Sequence, residues 1–293
     1  MKFAALLAAA ALPLVLSTPA LAAPADEPEL ITQAVTPAER AAALAYWTPE
    51  RMRETGSRSE DRAERVATKW DKPVPAGVGR LFIRQESKRE QPFDTWCTAT
   101  AVRSANRDTL VTAAHCVWPG TDRWEQPILA TNLVFVPGYE AGKPPRAAFA
   151  ARASLLAKSY TTSSEPDVAM VVLDPADGKH VNGTRRLDFG RQGDTPAQVF
   201  GYPGSKAGLG QSLFRCDLTA TPTSIGRWQL PCDMAGGSSG GPWFAGGENG
   251  PVFSVTSRGT VELDEETGEI YTKDLEGASL RAAKPLYERA ASL

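Results

Sequence analysis

The run Gly236-Gly237-Ser238-Ser239-Gly240-Gly241-Pro242 sets two hydroxyls between paired glycines and ends in a proline. Gly and Pro are poor helix formers and are depleted in strands, so this stretch reads as a special turn. Glycines let backbone N–H groups point where a Cβ would block them. A hydroxyl beside free N–H groups offers what acyl transfer requires, a nucleophile and a site for the oxyanion. The plain alternative is a Gly/Ser surface loop. Whether the chain also carries a base, and an acid to orient it, decides between the two.

Only two histidines are available. His115 ends the apolar run Leu110-Val111-Thr112-Ala113-Ala114 and precedes Cys116, so a crosslink there would fix the main chain of a general base. His180 lies in the polar stretch Asp177-Gly178-Lys179-His180 and is expected in solvent. The acid candidate is Asp167, just before Val168-Ala169-Met170-Val171-Val172-Leu173. Carried partly into the core by that strand, its carboxylate needs hydrogen bonds, and an imidazole N–H supplies one. Asp174, past the same strand, reads as a turn residue.

These groups need elements to hold them. From Pro73 onward, short β-prone runs alternate with Gly, Pro, Asn and Asp: 80–84, 96–102, 109–113, 133–136, 147–156, 168–173, 198–202, 212–221, 228–230, 243–244, 252–257 and 270–272. Such a series with almost no helical periodicity predicts an all-β sandwich or a pair of barrels. The polar stretch near 178–195 suits a junction between two halves. Ala278 to Leu293 carries an apolar stripe at helical spacing, and Pro285 starts or kinks a helix there.

The N-terminus has a basic start, a short Ala/Leu-rich run and Ala20-Leu21-Ala22, the pattern of a secretory signal over residues 1–22. The apolar run is shorter than the roughly 18–20 residues of a membrane span. Residues 23–72 are charged and Ala-rich, with Thr36-Pro37-Ala38-Glu39 in the form of a capping box and Thr48-Pro49-Glu50 repeating the cap. Too poor in bulky apolar residues to hold a core of its own, this stretch reads as a pro-segment, or else as a retained extension. Residues 73–293 form the remaining domain. A formal net charge of −2 gives no reason to expect a nucleic-acid or anionic-membrane partner. Export permits disulfides, and Cys97, Cys116, Cys216 and Cys232 allow three pairings. The sequence-local one, Cys97–Cys116 with Cys216–Cys232, closes two short loops, each adding about 3 kcal/mol. No C-x-x-C pair favours zinc, and neither metal nor cofactor is expected.

Thr112-Ala113-Ala114-His115-Cys116, the start of the Asp167-Val168-Ala169 strand and Gly237-Ser238-Ser239-Gly240-Gly241-Pro242 resemble the three signatures of chymotrypsin-like serine peptidases, in that family's order. The likeness spans about Pro73 to Leu293 and is strongest to the secreted bacterial branch near the glutamyl-endopeptidase-like members. It implies two antiparallel six-stranded β-barrels, followed by the C-terminal helix read above, with the site in the cleft between them, and an enzyme acting on proteins or peptides; the signal pattern makes it extracellular, and a monomer is expected. It further implies Ser239 as nucleophile, His115 as base, Asp167 as orienting acid, and the N–H groups of Gly237 and Ser239 as oxyanion hole. Ser238 stands where many animal family members carry an aspartate that pairs with a new N-terminal ammonium, so activation here must differ or be unnecessary; removal of the segment before about Pro73 is the expected way to unblock the cleft.

The resemblance also suggests a substrate pocket drawing on Asp233, Ser254, Thr256 and Arg258. Asp233 would favour a basic side chain and Arg258 an acidic one. The elbow pattern G-x-S-x-G of α/β-hydrolases is also satisfied by 237–241, yet that fold needs a histidine after the serine, and none follows His180. A non-catalytic relative on the same fold remains the second alternative.

Overall fold

The computed structural model describes residues 28–293 apart from 56–65, 127, 142, 144–146, 206–208, 264, 266–267 and 269. The expected signal at 1–22 lies outside the described residues. In chain order the elements are β1 (Leu30–Ala34), α1 (Pro37–Tyr46), α2 (Pro49–Glu54), β2 (Thr68–Lys69), β3 (Val78–Glu86), β4 (Phe93–Ala101), β5 (Thr109–Thr112) and α3 (Ala114–Val117). Then come β6 (Leu129–Pro137), β7 (Phe149–Ala157), α4 (Tyr160–Ser163), β8 (Ala169–Leu173), β9 (Thr195–Gly201) and β10 (Phe214–Pro222). The chain closes with β11 (Trp228–Leu230), β12 (Pro242–Ala245), β13 (Val252–Leu263), β14 (Ile270–Ser279) and α5 (Lys284–Ala291).

Strands β3, β4, β5, β8, β7 and β6 close on one another as one antiparallel six-stranded barrel. A second is formed by β9, β10, β11, β14, β13 and β12. Residues 174–194 join them. Short runs rich in Val, Ala and Phe suit these small barrels, where closure removes exposed sheet edges. The run Ala169–Leu173 is buried throughout, as a continuous apolar strand should be. Each barrel has its own apolar interior, and a third cluster fills the seam between them. The disulfides are Cys97–Cys116 and Cys216–Cys232. The C-terminal helix begins at Lys284–Pro285, later than the apolar stripe predicts, because β14 runs on to Ser279.

The N-terminal stretch is where the chain differs most from its sequence pattern. Lacking a core of its own, it borrows the first barrel's. Strand β1 pairs antiparallel with β7 from Leu30↔Ala157 to Ala34↔Ala153. The capping box forms as predicted, with Glu39 N–H donating to Thr36 Oγ1 and Thr36 N–H to Glu39 Oε2. Ala43, Trp47 and Met52 are buried, and Trp47 Nε1 donates to the Asn132 carbonyl at 2.6 Å. Farther on, β2 pairs with β10 and Trp70 packs edge-on to Phe200. The boundary expected at 72/73 therefore falls inside a strap, already part of the second barrel's sheet, that leads across to β3.

Candidate active site

The pairing of β5 with β8 brings the first two site residues together. Thr112 lies opposite Ala169, so the chain leaving β5 meets the chain entering β8. His115, in the one-turn helix α3, and Asp167, two residues ahead of β8, are neighbours on that account. The Asp167 carboxylate accepts from His115 N–H at 3.0 Å and lies 2.8 Å, Oδ2 to Nδ1, from the imidazole. It also accepts the Ser257 hydroxyl at 2.6 Å and is 3 % exposed. Burial pushes its pKa up, but the hydrogen bonds and charge of His115 and the Ser257 hydroxyl outweigh this and hold it below the ordinary carboxylate value. An ionised carboxylate only accepts, so Nδ1 carries the hydrogen and Nε2 is left as the basic nitrogen.

The serine loop is fixed against the same corner. Gly237 and Gly240 have φ of +93° and +75°, conformations that favour glycine. A Cβ on Gly240 would fall 2.0 Å from Thr112 Oγ1 and 2.8 Å from Ala113 N, so the loop packs directly on the segment that leads into His115. Thr98 N–H donates to the Ser239 carbonyl at 2.8 Å, and the Thr98 hydroxyl donates to the Gly237 carbonyl at 2.9 Å. Ser238 is turned inward, its hydroxyl donating to the Ala235 carbonyl, whereas Ser239 is partly exposed. Among the described residues the N–H groups of Gly237 and Ser239 meet no acceptor.

The pocket candidates separate. Asp233 is 2 % exposed, and its Oδ1 accepts the N–H groups of Ala67 at 2.7 Å and Val66 at 3.3 Å, so it faces the N-terminal strap. Ser254 and Thr256 are buried as well; the first donates to the Ala278 carbonyl and the second accepts from Trp243 Nε1. Only the side chain of Arg258 among the four is substantially open, 44 % exposed, beside Glu165 at 3.4 Å and Glu276 at 3.9 Å. Ser257, between two of these candidates, holds the acid instead, and no local sequence signal set it apart from Ser254. His180 is not in free solvent: its Nδ1 meets the buried Asp108. One cluster of metal-ligand types occurs among the described residues, Cys97, His115 and Cys116, and the disulfide leaves it no thiolate.

A groove of about 790 Å³ opens beside this corner, bordered by Gly236, Gly237, Trp96, Thr95, Arg51 and Glu54. The last two come from α2.

No family model and no curated protein matches the chain. Solved structures do. The protease Anisep from Arthrobacter nicotinovorans superposes with a TM-score of 0.64 at 27 % identity, covering 78 % of this chain and all of that one. The thermostable serine protease AL20, from an extremophilic microorganism, gives 0.63 at 29 % identity over 74 % of this chain and 98 % of its own. A Glu endopeptidase shares the fold at 16 % identity, with a TM-score of 0.55 over 79 % of this chain and 99 % of that one. Paired six-stranded barrels and these neighbours show that the chain has the fold of the chymotrypsin-like serine proteases and is similar to serine proteases that carry it.

Proposed function

We propose that the chain is a secreted endopeptidase in which Ser239, His115 and Asp167 act as a catalytic triad. Ser239 Oγ attacks the peptide carbonyl while His115 Nε2 takes its proton; the same nitrogen then delivers that proton to the leaving amine. Water, deprotonated by His115, releases the acyl group from Ser239. Asp167 keeps Nδ1 protonated and stabilises the imidazolium. The negatively charged oxygen of each tetrahedral intermediate is received by the N–H groups of Gly237 and Ser239, and one such donor contributes about 3–4 kcal/mol.

The observation that carries this reading is the Asp167 carboxylate, buried yet ionised, bonded to both the ring and the backbone of His115 beside a serine loop with two unspent N–H groups. Two disulfides, and no helix among the described residues long and apolar enough to cross a membrane, accord with export. Treatment with a serine-directed sulfonyl fluoride followed by peptide mass mapping tests it. Modification is expected at Ser239; a label elsewhere, or none on protein that is folded, refutes the assignment.

For specificity, the exposure of Arg258 favours an acidic substrate side chain over a basic one directed to Asp233, whose carboxylate already receives two backbone N–H groups. Cleavage of a peptide library by the wild type and by Arg258→Ala is expected to show the acidic preference only in the former.

A further inference from the structure

Arg80, on β3, is fully buried in the seam between the barrels. Its guanidinium carbon lies 4.5 Å from the ring centres of Phe82 and Trp96 and 4.7 Å from that of Tyr139. Nη2 donates at 2.7 Å to the carbonyl of Thr55, the C-cap of α2, while Nε and Nη1 have no hydrogen-bond partner among the described residues. Burial pulls its pKa down to about 10, which leaves it charged at neutral pH. A buried cation is costly unless compensated, and here the compensation is three aromatic faces and one carbonyl of the N-terminal segment.

The cage continues to the reacting loop. The Trp96 ring stacked on Arg80 donates through Nε1 to the Tyr202 carbonyl at 2.8 Å. A Cβ on Gly237 would fall 2.4 Å from that same Nε1, so the indole edge is the surface on which the oxyanion glycine rests. The segment grips the cage at further points, since Tyr139 Oη donates to the Met52 carbonyl and Gln211 Nε2 to the Arg53 carbonyl.

We propose that the docked N-terminal segment, residues 28–55, is a working part of the enzyme that positions the oxyanion loop, with Arg80 and Trp96 as the positioning residues between Thr55 and Gly237. This rests on the triad reading above. It assigns to the segment an ordering role that Ser238, lacking a carboxylate, cannot fill by an ion pair. Because oxyanion donors act only when aimed at the developing charge, a small shift of Gly237 lowers turnover while leaving substrate binding nearly unchanged.

The test compares the full chain with Arg80→Met, which removes the link at its centre, and Trp47→Ala, which loosens the segment at its docking face. Active sites are counted by burst titration and kinetics are expressed per titrated site. For both variants kcat per site is expected to fall about tenfold with KM within twofold. Affinity for a peptide boronate, whose charged oxygen occupies the oxyanion hole, should fall by the same factor. A merely structural role would lower the number of titratable sites and leave per-site kcat and boronate affinity intact; that result from either variant overturns the proposal. So does failure of both variants to yield titratable protein, which would make the segment a folding element alone. Absence of a burst in the unmodified chain would instead count against the triad.

Discussion

The molecule contains two His–Asp pairs, built at opposite ends of one strand ladder. Strands β5 and β8 run antiparallel from Thr109↔Val172 to Thr112↔Ala169. Asp108 immediately precedes β5 and meets His180, which follows β8; Asp167 precedes β8 and meets His115, which follows β5. Both carboxylates are buried and both take the imidazole through Nδ1. Their surroundings differ. At the Asp167 end the glycines of the serine loop press on Thr112 and Ala113, and Ser257 from the second barrel supplies another donor. At the Asp108 end the remaining carboxylate oxygen takes the Val181 N–H, which ties the inter-barrel connection to the first barrel. The same His–Asp contact thus serves as a structural clasp at one end and, in the function proposed above, as half of a catalytic device at the other.

Removing the serine that only the Asp167 end faces has the largest expected effect. Ser239→Ala is expected to lower kcat by about 10⁶-fold with an unchanged fold, read by peptide hydrolysis alongside circular dichroism. Asp167→Asn should cost about 10⁴-fold by admitting the wrong tautomer of His115, whereas Asp108→Asn should leave kcat per titrated site within twofold. Comparable losses from the two would mean that the ends are not functionally distinct. Ser257→Ala deletes a charge-assisted hydrogen bond and is expected to lower kcat about tenfold, with a KM near that of the parent.

Smaller effects sharpen the contrast in stability. His180→Ala should cost about 2 kcal/mol in urea denaturation, because Asp108 stays buried with a donor missing, and should leave turnover per site unaltered. Acid adds a signature of its own. The folded pKa of Asp167 lies below its ordinary value near 3.8, so between the two the unfolded chain binds more protons. Its contribution to stability is therefore complete above about pH 4 and is lost as the pH falls through the folded value. Urea midpoints measured from pH 5 down to pH 2 should fall less steeply in Asp167→Asn; parallel curves would contradict the assigned shift.

Much of this was legible in the chain. The twelve β-prone runs all coincide with barrel strands, because each is a short apolar or alternating stretch punctuated by turn residues. Thr36 and Glu39 announce α1 through a contact between near neighbours. Strands β1 and β2 are not legible: Leu30–Ala34 and Thr68–Lys69 lack strong strand patterning and form only because an edge of β7 or β10 accepts them. The same holds at the site. His115, Asp167 and Ser239 stand out in recognisable strings, but Ser257 looks like Ser254 until register places one beside a carboxylate and the other beneath β14.

By itself the sequence determined the chemical inventory and the local shapes: a glycine-bracketed serine, a histidine closing an apolar strand, an aspartate opening another, and cysteines near enough to close short loops. Those follow from residue type and spacing, which act over a few residues. Only the tertiary structure decided which imidazole meets which carboxylate, that Asp233 faces the strap, and that a charged N-terminal stretch is folded onto the first barrel with the Thr55 carbonyl on Arg80. The physical reason is that such contacts join residues far apart in the chain. Their formation depends on strand register and on how two closed barrels meet, and no local pattern encodes either.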